Sequence, residues 1–511
     1  MSSSPADGDR LVIPISTDPP SLDFLTCTDA WCLLVARFVA DSLIDEGENL
    51  EPVPRLASSW EFTEGGRLLT IHLREGVQWH DGAPFTSKDV VFTYQRIVDP
   101  ASGARADQFQ EIVEVVALDE HTVRVRYREP TVLALDAWKF PLLPEHLRSM
   151  EPGGRDARRI PIGTGPFRFV RWERGKEIVL AANPAYFLGR PHLDGLVFKI
   201  IPSSVTQFQA VLTGETDWSS IPASEWSGVA AKPEFVRRFQ IFEYPALFLH
   251  YIGWNERGPF FFDARVRRAL TLALDREGFV KKVQGGSGIV AASTFHPAHF
   301  GFDAGIRPLP YDPEEAARLL DEAGWKRGAA GGLRRRNGKE FRFTLLIFQK
   351  DPVPQQIASL LSDSLTRLGI AVDIRPLDIP ALLDRLHRRE FEAVLSGWAL
   401  TSPDPTAMLH SRPELGPQNY VGFASPEMDR LLRQSRHEMD PSRLREIYSR
   451  IQALEVVEQP YTFLFFPVLR VALDKRFRGV RASTGGSPLR PYPGVQQWYV
   501  PTELQKRAGP Y

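Results

Sequence analysis

FEAVLSGWALTSPDP, Phe391–Pro405, reads as a short buried strand that runs out into a polar turn punctuated by two prolines. Upstream and into it, Phe341–Phe348, Gln355–Leu368, Ala371–Ile374, Leu382–His387 and Glu392–Leu395 read in turn as strand, helix, strand, helix, strand. That alternation predicts a parallel or mixed α/β lobe, because a strand followed by a crossover helix returns to the same sheet. Ligands of such sheets sit beyond the carboxyl ends of the strands. Trp398 lies at such an end, and two readings stand for it: a wall of a binding cleft, or packed core, the usual fate of a tryptophan.

The whole chain sets further bounds. Its 511 residues exceed what one hydrophobic core serves, so two or three lobes are expected. Lys+Arg number 62 against 63 Asp+Glu, a formal net charge of -1, so the chain as a whole has no attraction for nucleic acid or an anionic membrane, and partners should be neutral or locally matched. No apolar run approaches the ~20 residues that span a bilayer. The N-terminus, MSSSPADGDRLVIPIS, has no basic segment followed by an apolar one and as written carries no secretory signal. A cytosolic protein and a mature exported one both fit; the small polar run Ser2–Asp7 resembles the tether after a lipidated cysteine, as it resembles any disordered terminus. A helix is expected from Asp29 to about Ile44 with Thr28 as N-cap, setting Cys27 at N′ and Cys32 at N4, the positions that meet in a hydrophobic staple. A disulfide and two buried thiols are equally open, and a bridge would favour export.

Farther along, Ser87 reads as the N-cap of a helix with Val90, Val91, Tyr94 and Ile97 on one face. His80 beside Asp81 reads as a turn closure, since no nucleophile or third partner lies nearby. Hairpins over Val113–Tyr127 and Phe167–Leu180 flank Gly163-Thr164-Gly165-Pro166, which is too short and proline-bound for a phosphate loop and reads as a crossing between lobes. In the helix beginning at Asp263, Arg265, Arg267 and Arg268 read as a solvated face. No G-x-S-x-G, H-E-x-x-H, paired C-x-x-C or P-loop occurs, so neither an enzyme nor a cofactor nor a metal is expected. His296 and His299 are spaced like metal ligands but lack cysteine or carboxylate neighbours in a fixed frame, and read as loop histidines.

Leu73–Ile97, LREGVQWHDGAPFTSKDVVFTYQRI, resembles the signature of the family 5 extracellular solute-binding proteins, the oligopeptide, dipeptide and nickel receptors of ABC importers. GTGPFRFVRWERGKEIVLAANPAYF (163–187), DARVRRALTLALDRE (263–277), FEAVLSGWALTSPDP (391–405) and NYVGFASPEMDRLL (419–432) occur in that family's order, so the resemblance covers essentially the whole chain. It implies an α/β type II periplasmic-binding-protein fold, two lobes plus an extra α/β domain (cluster C type). By similarity, 1–44 with 166–255 and 478–511 form lobe I, 45–165 the extra domain and 256–477 lobe II. The implied function is a receptor outside the cytoplasm, periplasmic or extracellular, free or lipid-anchored, that captures a peptide or peptide-like solute between closing lobes and delivers it to a membrane permease. A monomer without nucleic-acid partners is expected; relatives also admit an opine, an oligosaccharide or a metal chelate, and a hydrolase with an unrecognised site is the remote alternative.

The resemblance implies that Trp398, with Gly397 before it, lines the cleft. Read as a wall, Trp398 should contribute little to the stability of the ligand-free chain. Peptide-binding relatives place an acid three residues later to pair with the ligand's α-ammonium; here that position is Thr401, which brings no counter-charge to a cost that burial would make large. Asp404 is the nearby substitute, with a structural cap as its other reading. Tyr251, Trp254 and Asn255 end a strand near the lobe junction, Asn419 and Tyr420 follow the proline-rich turn, and Thr28, Asp29 and Trp31 lie in a loop like the family's first-lobe contact loop. For all of these, packing or capping stands beside ligand contact as an equal reading.

Overall fold

The computed structural model describes residues 5–27, 29–47, 51–102, 109–147, 161–328, 331–349, 352–400, 404–481, 487, 489 and 494–507. The chain forms two compact units, one of Met1–Tyr244 with Leu469–Tyr511 and one of Pro245–Val468. The sequence-based lobe boundaries, 255/256 and 477/478, fall about ten residues later in each case. The first shift has a local cause: the strand Phe248–Trp254 is hydrogen-bonded on both sides to strands of the second unit.

The first unit carries two main cores. One lies on a four-stranded sheet ordered Arg10–Ile15, Gly195–Ile200, Glu177–Ala182, Phe167–Glu173, parallel in its first pair and antiparallel after it. The helix Ala30–Val39 covers it, Phe38 meeting Phe167 and Phe198 with ring centroids 6.1 Å apart in both pairs. The other core sits under an antiparallel sheet ordered Ala57–Thr63, Leu68–Leu73, Thr122–Tyr127, Ile112–Asp119, where Leu69, Ile71, Val123 and Val125 alternate inward. Its helix, Ser87–Val98, is capped by Thr86 rather than Ser87, with Asp89 returning the bond in a capping box. Gly163 and Gly165 lie against the backbone of Phe38–Ala40, so close that a Cβ on Gly163 would stand 1.9 Å from the Val39 carbonyl oxygen. His80 holds this segment, its Nε2 3.0 Å from the Gly165 carbonyl oxygen and its Nδ1 accepting from the Gly163 N–H at 3.3 Å. Burial lowers its pKa to about 4, so it stays neutral as a turn closure.

Cys27 and Cys32 form a disulfide. The helix it abuts is capped by Asp29, not Thr28, and Asp29 Oδ1 accepts from the N–H groups of Trp31 (2.9 Å) and Cys32 (3.1 Å). Counted from that cap, the bridge ties N″ to N3. Closing so short a loop restricts the unfolded chain modestly, and Cys27→Ser/Cys32→Ser is expected to lower stability by about 2 kcal/mol. A urea midpoint unmoved by the double change would leave Asp29 alone as the clamp.

In the second unit the alternation read from 341 to 395 is present as Arg342–Phe348, Pro352–Arg367, Ala371–Leu377, Ile379–Arg388 and Ala393–Ala399, with the three strands parallel. Phe248–Trp254 joins them antiparallel to Ala393–Ala399, and the long strand Tyr461–Asp474 pairs beyond it through its first residues. The helix face Arg265–Arg268 is not all solvated. Arg267 is 2% exposed, pairs with Glu256 at 3.1 Å and donates to the carbonyls of Phe261, Glu458 and Gln459, because the helix Ala264–Leu272 buries that side.

Candidate functional site

The carboxyl edge of the second unit's sheet gathers the ends of Arg342–Phe348, Ala371–Leu377 and Ala393–Ala399 beside the start of Phe248–Trp254. Trp398 is the last but one residue of its strand, opposite Leu249. The two-residue period turns Trp398 and Tyr251 to the same face. There the indole stacks on the Tyr251 ring, centroids 3.8 Å apart and planes 21° apart, and Tyr461 closes a third side edge-on at 4.6 Å from Trp398 and 5.2 Å from Tyr251. The Tyr461 hydroxyl donates to the Met408 carbonyl at 3.2 Å. Burial raises the pKa of both tyrosines far above the ordinary range, and Tyr420 adds to each shift, so the aromatic box is uncharged.

Trp398 is 6% exposed, and its Nε1–H has no acceptor among the described residues. A buried indole N–H normally finds a partner. Trp398, Tyr251 and Tyr461 thus form a buried aromatic cluster that carries one donor unmet among the described residues. Gly397 turns to the opposite face, where a Cβ would stand 2.2 Å from the Phe248 ring, so packing alone requires glycine there. His250 shares that second face between Phe248 and Phe465, neutral because burial lowers its pKa to about 4.

Several of the expected residues have partners of their own. Because Phe248–Trp254 runs antiparallel to Ala393–Ala399, Trp254 stands opposite Ala393, about 20 Å along the strands from Ala399 at ~3.3 Å per residue. Trp254 is fully buried among Phe261 and Phe343 and donates to Thr462 Oγ1 at 3.0 Å. Asn255 spends its amide on the Arg389 and Phe391 carbonyls and accepts from the Arg257 N–H. Asn419 likewise donates to the His410 and Phe423 carbonyls and accepts from Gly422 and Phe423 N–H, holding the loop shut from within. Asp404 accepts from the Thr406 N–H at 2.9 Å and pairs with Arg436 at 3.1 Å, so its charge is already met. Tyr420 is half-buried with its ring 5.5 Å from His387. In the first unit, Asp29 is the helix cap and Trp31 donates its indole N–H to Ser16 Oγ at 3.0 Å. Thr28 and Thr401 lie outside the described residues.

His296 and His299 each accept a backbone N–H two residues on, at 3.1 and 2.9 Å, and pack on aromatic rings. Among the described residues no group of three or more His, Cys, Asp and Glu is placed to hold a metal, and no helix is long and apolar enough to cross a membrane. Two residues that carried no sequence signal matter here. Tyr461 completes the box, and Glu455 is fully buried with a pKa raised to about 8 by desolvation.

Residues 51–414 match the family described as "Bacterial extracellular solute-binding proteins, family 5 Middle". Over 511 aligned residues the chain is 30% identical to the oligopeptide-binding protein AppA of Bacillus subtilis, covering 97% of this chain and 92% of that one. It is 28% identical over 460 residues to the di/tripeptide-binding protein 2 of Pseudomonas aeruginosa, covering 84% of each. The solved structure of the Bacillus subtilis AppA in complex with a nonapeptide matches with a TM-score of 0.81 at 29% identity, over 97% of this chain and all of that one.

Proposed function

The chain belongs to the bacterial extracellular solute-binding proteins of family 5, and from that premise we propose that it is the substrate-binding receptor of an ABC importer, taking up a peptide or peptide-like solute for a membrane permease. The observation that carries this reading is the likeness to an oligopeptide-binding protein along 97% of the chain. We assign ligand contact to the face formed by Trp398, Tyr251 and Tyr461, where stacked rings and an N–H unmet among the described residues suit a side chain and a backbone carbonyl of a peptide. The protein acts as a monomer, by binding and release and not by catalysis. The Cys27–Cys32 bridge fits work outside the cytoplasm, where disulfides persist; a lipid tether preceding the polar N-terminal run is part of the same proposal.

Native mass spectrometry of the purified protein is expected to reveal a retained peptide. Adding that peptide back to the stripped protein at 100 times its Kd should stabilise it by about 2.7 kcal/mol, read as a rise in Tm. Retention of an opine, an oligosaccharide or a chelate would keep the receptor and replace the ligand. Turnover of a peptide or ester panel, lost on a single side-chain change, would overturn the receptor reading altogether.

A further inference from the structure

At the amino ends of the second unit's parallel strands, across the sheet from the edge that carries Trp398, Phe248–Trp254 finishes beside the start of Ala393–Ala399. Asn255, the next residue, reaches to both sides of that junction. Its Oδ1 accepts from the Arg257 N–H at 3.2 Å and its Nδ2 donates to the Arg389 carbonyl at 3.2 Å. One buried amide thus sets two arginines side by side.

Both arginines stand where another residue would cost less. Arg389 ends the helix Ile379–Arg388 with φ +59°, the left-handed position usually given to glycine. The Arg257 side chain lies over Gly422, where a Cβ would stand 2.6 Å from the guanidinium carbon. Desolvation lowers the Arg257 pKa and the nearby Arg389 charge lowers it further, while Glu256 pulls the other way. Glu256, however, faces Arg267 at 3.1 Å. The other acids close to the pair in sequence are engaged too: Asp384 with Arg388 at 2.9 Å, Glu390 with Arg385 at 3.0 Å and Glu392 with the Thr344 N–H at 2.7 Å. Neither the Arg257 nor the Arg389 guanidinium has a hydrogen bond or an ion pair among the described residues. Arg257 is exposed and Arg389 half-buried, so a solute reaches both. Left-handed backbone and adjacent like charges, with no structural return for either, mark a functional site.

We propose that Arg257 and Arg389 form a second binding site, for a small oxyanion, phosphate or carboxylate. A guanidinium presents paired N–H donors in one plane that match two oxygens of the same anion. Two guanidinia held together suit a ligand with several oxygens and a negative charge; chloride, a single centre, cannot meet both forks. The bound anion relieves the repulsion between the arginines. The site is independent of the solute carried at the aromatic cluster, since it lies at the other end of strands about 20 Å long at ~3.3 Å per residue.

The test is calorimetric titration of the full chain with inorganic phosphate in a chloride buffer of constant ionic strength. Saturable one-to-one binding is expected. Arg257→Gln and Arg389→Gly should each weaken it by about ten-fold or more, the loss of a charge-assisted contact. Arg389→Gly should also hold or raise the Tm of the phosphate-free protein, because glycine adopts the left-handed conformation freely and one of two repelling charges is gone. Weakened binding by that variant therefore reports the site and not the fold. Acetate that displaces phosphate would open the site to carboxylates, and acetate without effect would confine it to phosphate. Absence of saturable binding by both anions, or a phosphate affinity undiminished in either variant, would overturn the proposal.

Discussion

Trp398→Ala is expected to lower the stability of the ligand-free protein by about 3–5 kcal/mol and to abolish ligand-induced stabilisation as well. Position at a strand end suggests a wall that can be removed at little cost. The side chain is instead 6% exposed, stacked at 3.8 Å on Tyr251 and held edge-on by Tyr461. Each such ring pair adds roughly 0.5–1.5 kcal/mol beyond the area it buries, and those contacts need no ligand to form. Alanine therefore cannot separate packing from binding, but phenylalanine can. Trp398→Phe keeps a ring in the stack and deletes the Nε1–H, which meets no acceptor among the described residues. Leaving a buried donor unmet costs about 1–3 kcal/mol, so Trp398→Phe should match or exceed the wild type in urea stability. If the ligand accepts from that N–H, its loss should weaken affinity by about ten-fold, the equivalent of ~1.4 kcal/mol. Calorimetric titration with the co-purified solute decides the matter, and an unchanged Kd would remove the indole N–H from the site while leaving its ring in place.

The parts of this molecule legible in the sequence are those whose cause is local. The alternation from Phe341 to Leu395 could be read because each strand and helix writes its own period into a short window. Caps were displaced by one residue, Thr28 for Asp29 and Ser87 for Thr86, because in both cases two cap-competent residues stand side by side and the neighbouring structure chooses between them. Asn255, Asn419 and Asp404 mark the limit of that reading. A polar loop side chain looks the same in sequence whether it will meet a ligand, a carbonyl or Arg436, and only the fold shows which. Tyr461 was invisible for a related reason: it reaches Tyr251 through a strand pairing that spans some two hundred residues of chain, whose register no short window contains.

Glu455 is equally silent, one of three acids in the helix Pro441–Glu458, and it carries the second large effect. It is 0% exposed, accepts from the Thr294 N–H at 3.0 Å and has no cation beside it among the described residues, so desolvation raises its pKa from 4.5 to about 8. The unfolded chain ionises the same group near 4.5. Between pH 4.5 and about 8 the unfolded state therefore releases a proton that the folded state keeps, and stability falls as pH rises, by roughly 1.4 kcal/mol per unit, levelling off above about 8. Glutamine keeps the shape and the acceptor for Thr294 but has no proton to release. Glu455→Gln is accordingly expected to be about 4 kcal/mol more stable than the wild type at pH 8 and no more stable at pH 4.5, measured as urea unfolding at the two pH values. Glu256, raised to about 8 by burial although Arg267 opposes the shift, acts with the same sign and should leave a residual slope in the variant. A Glu455→Gln protein that gains nothing at pH 8 would mean that water or a cation reaches the carboxylate. In that case the space around Glu455 and Thr294 would be a solvated channel inside the second unit and no longer part of its dry core.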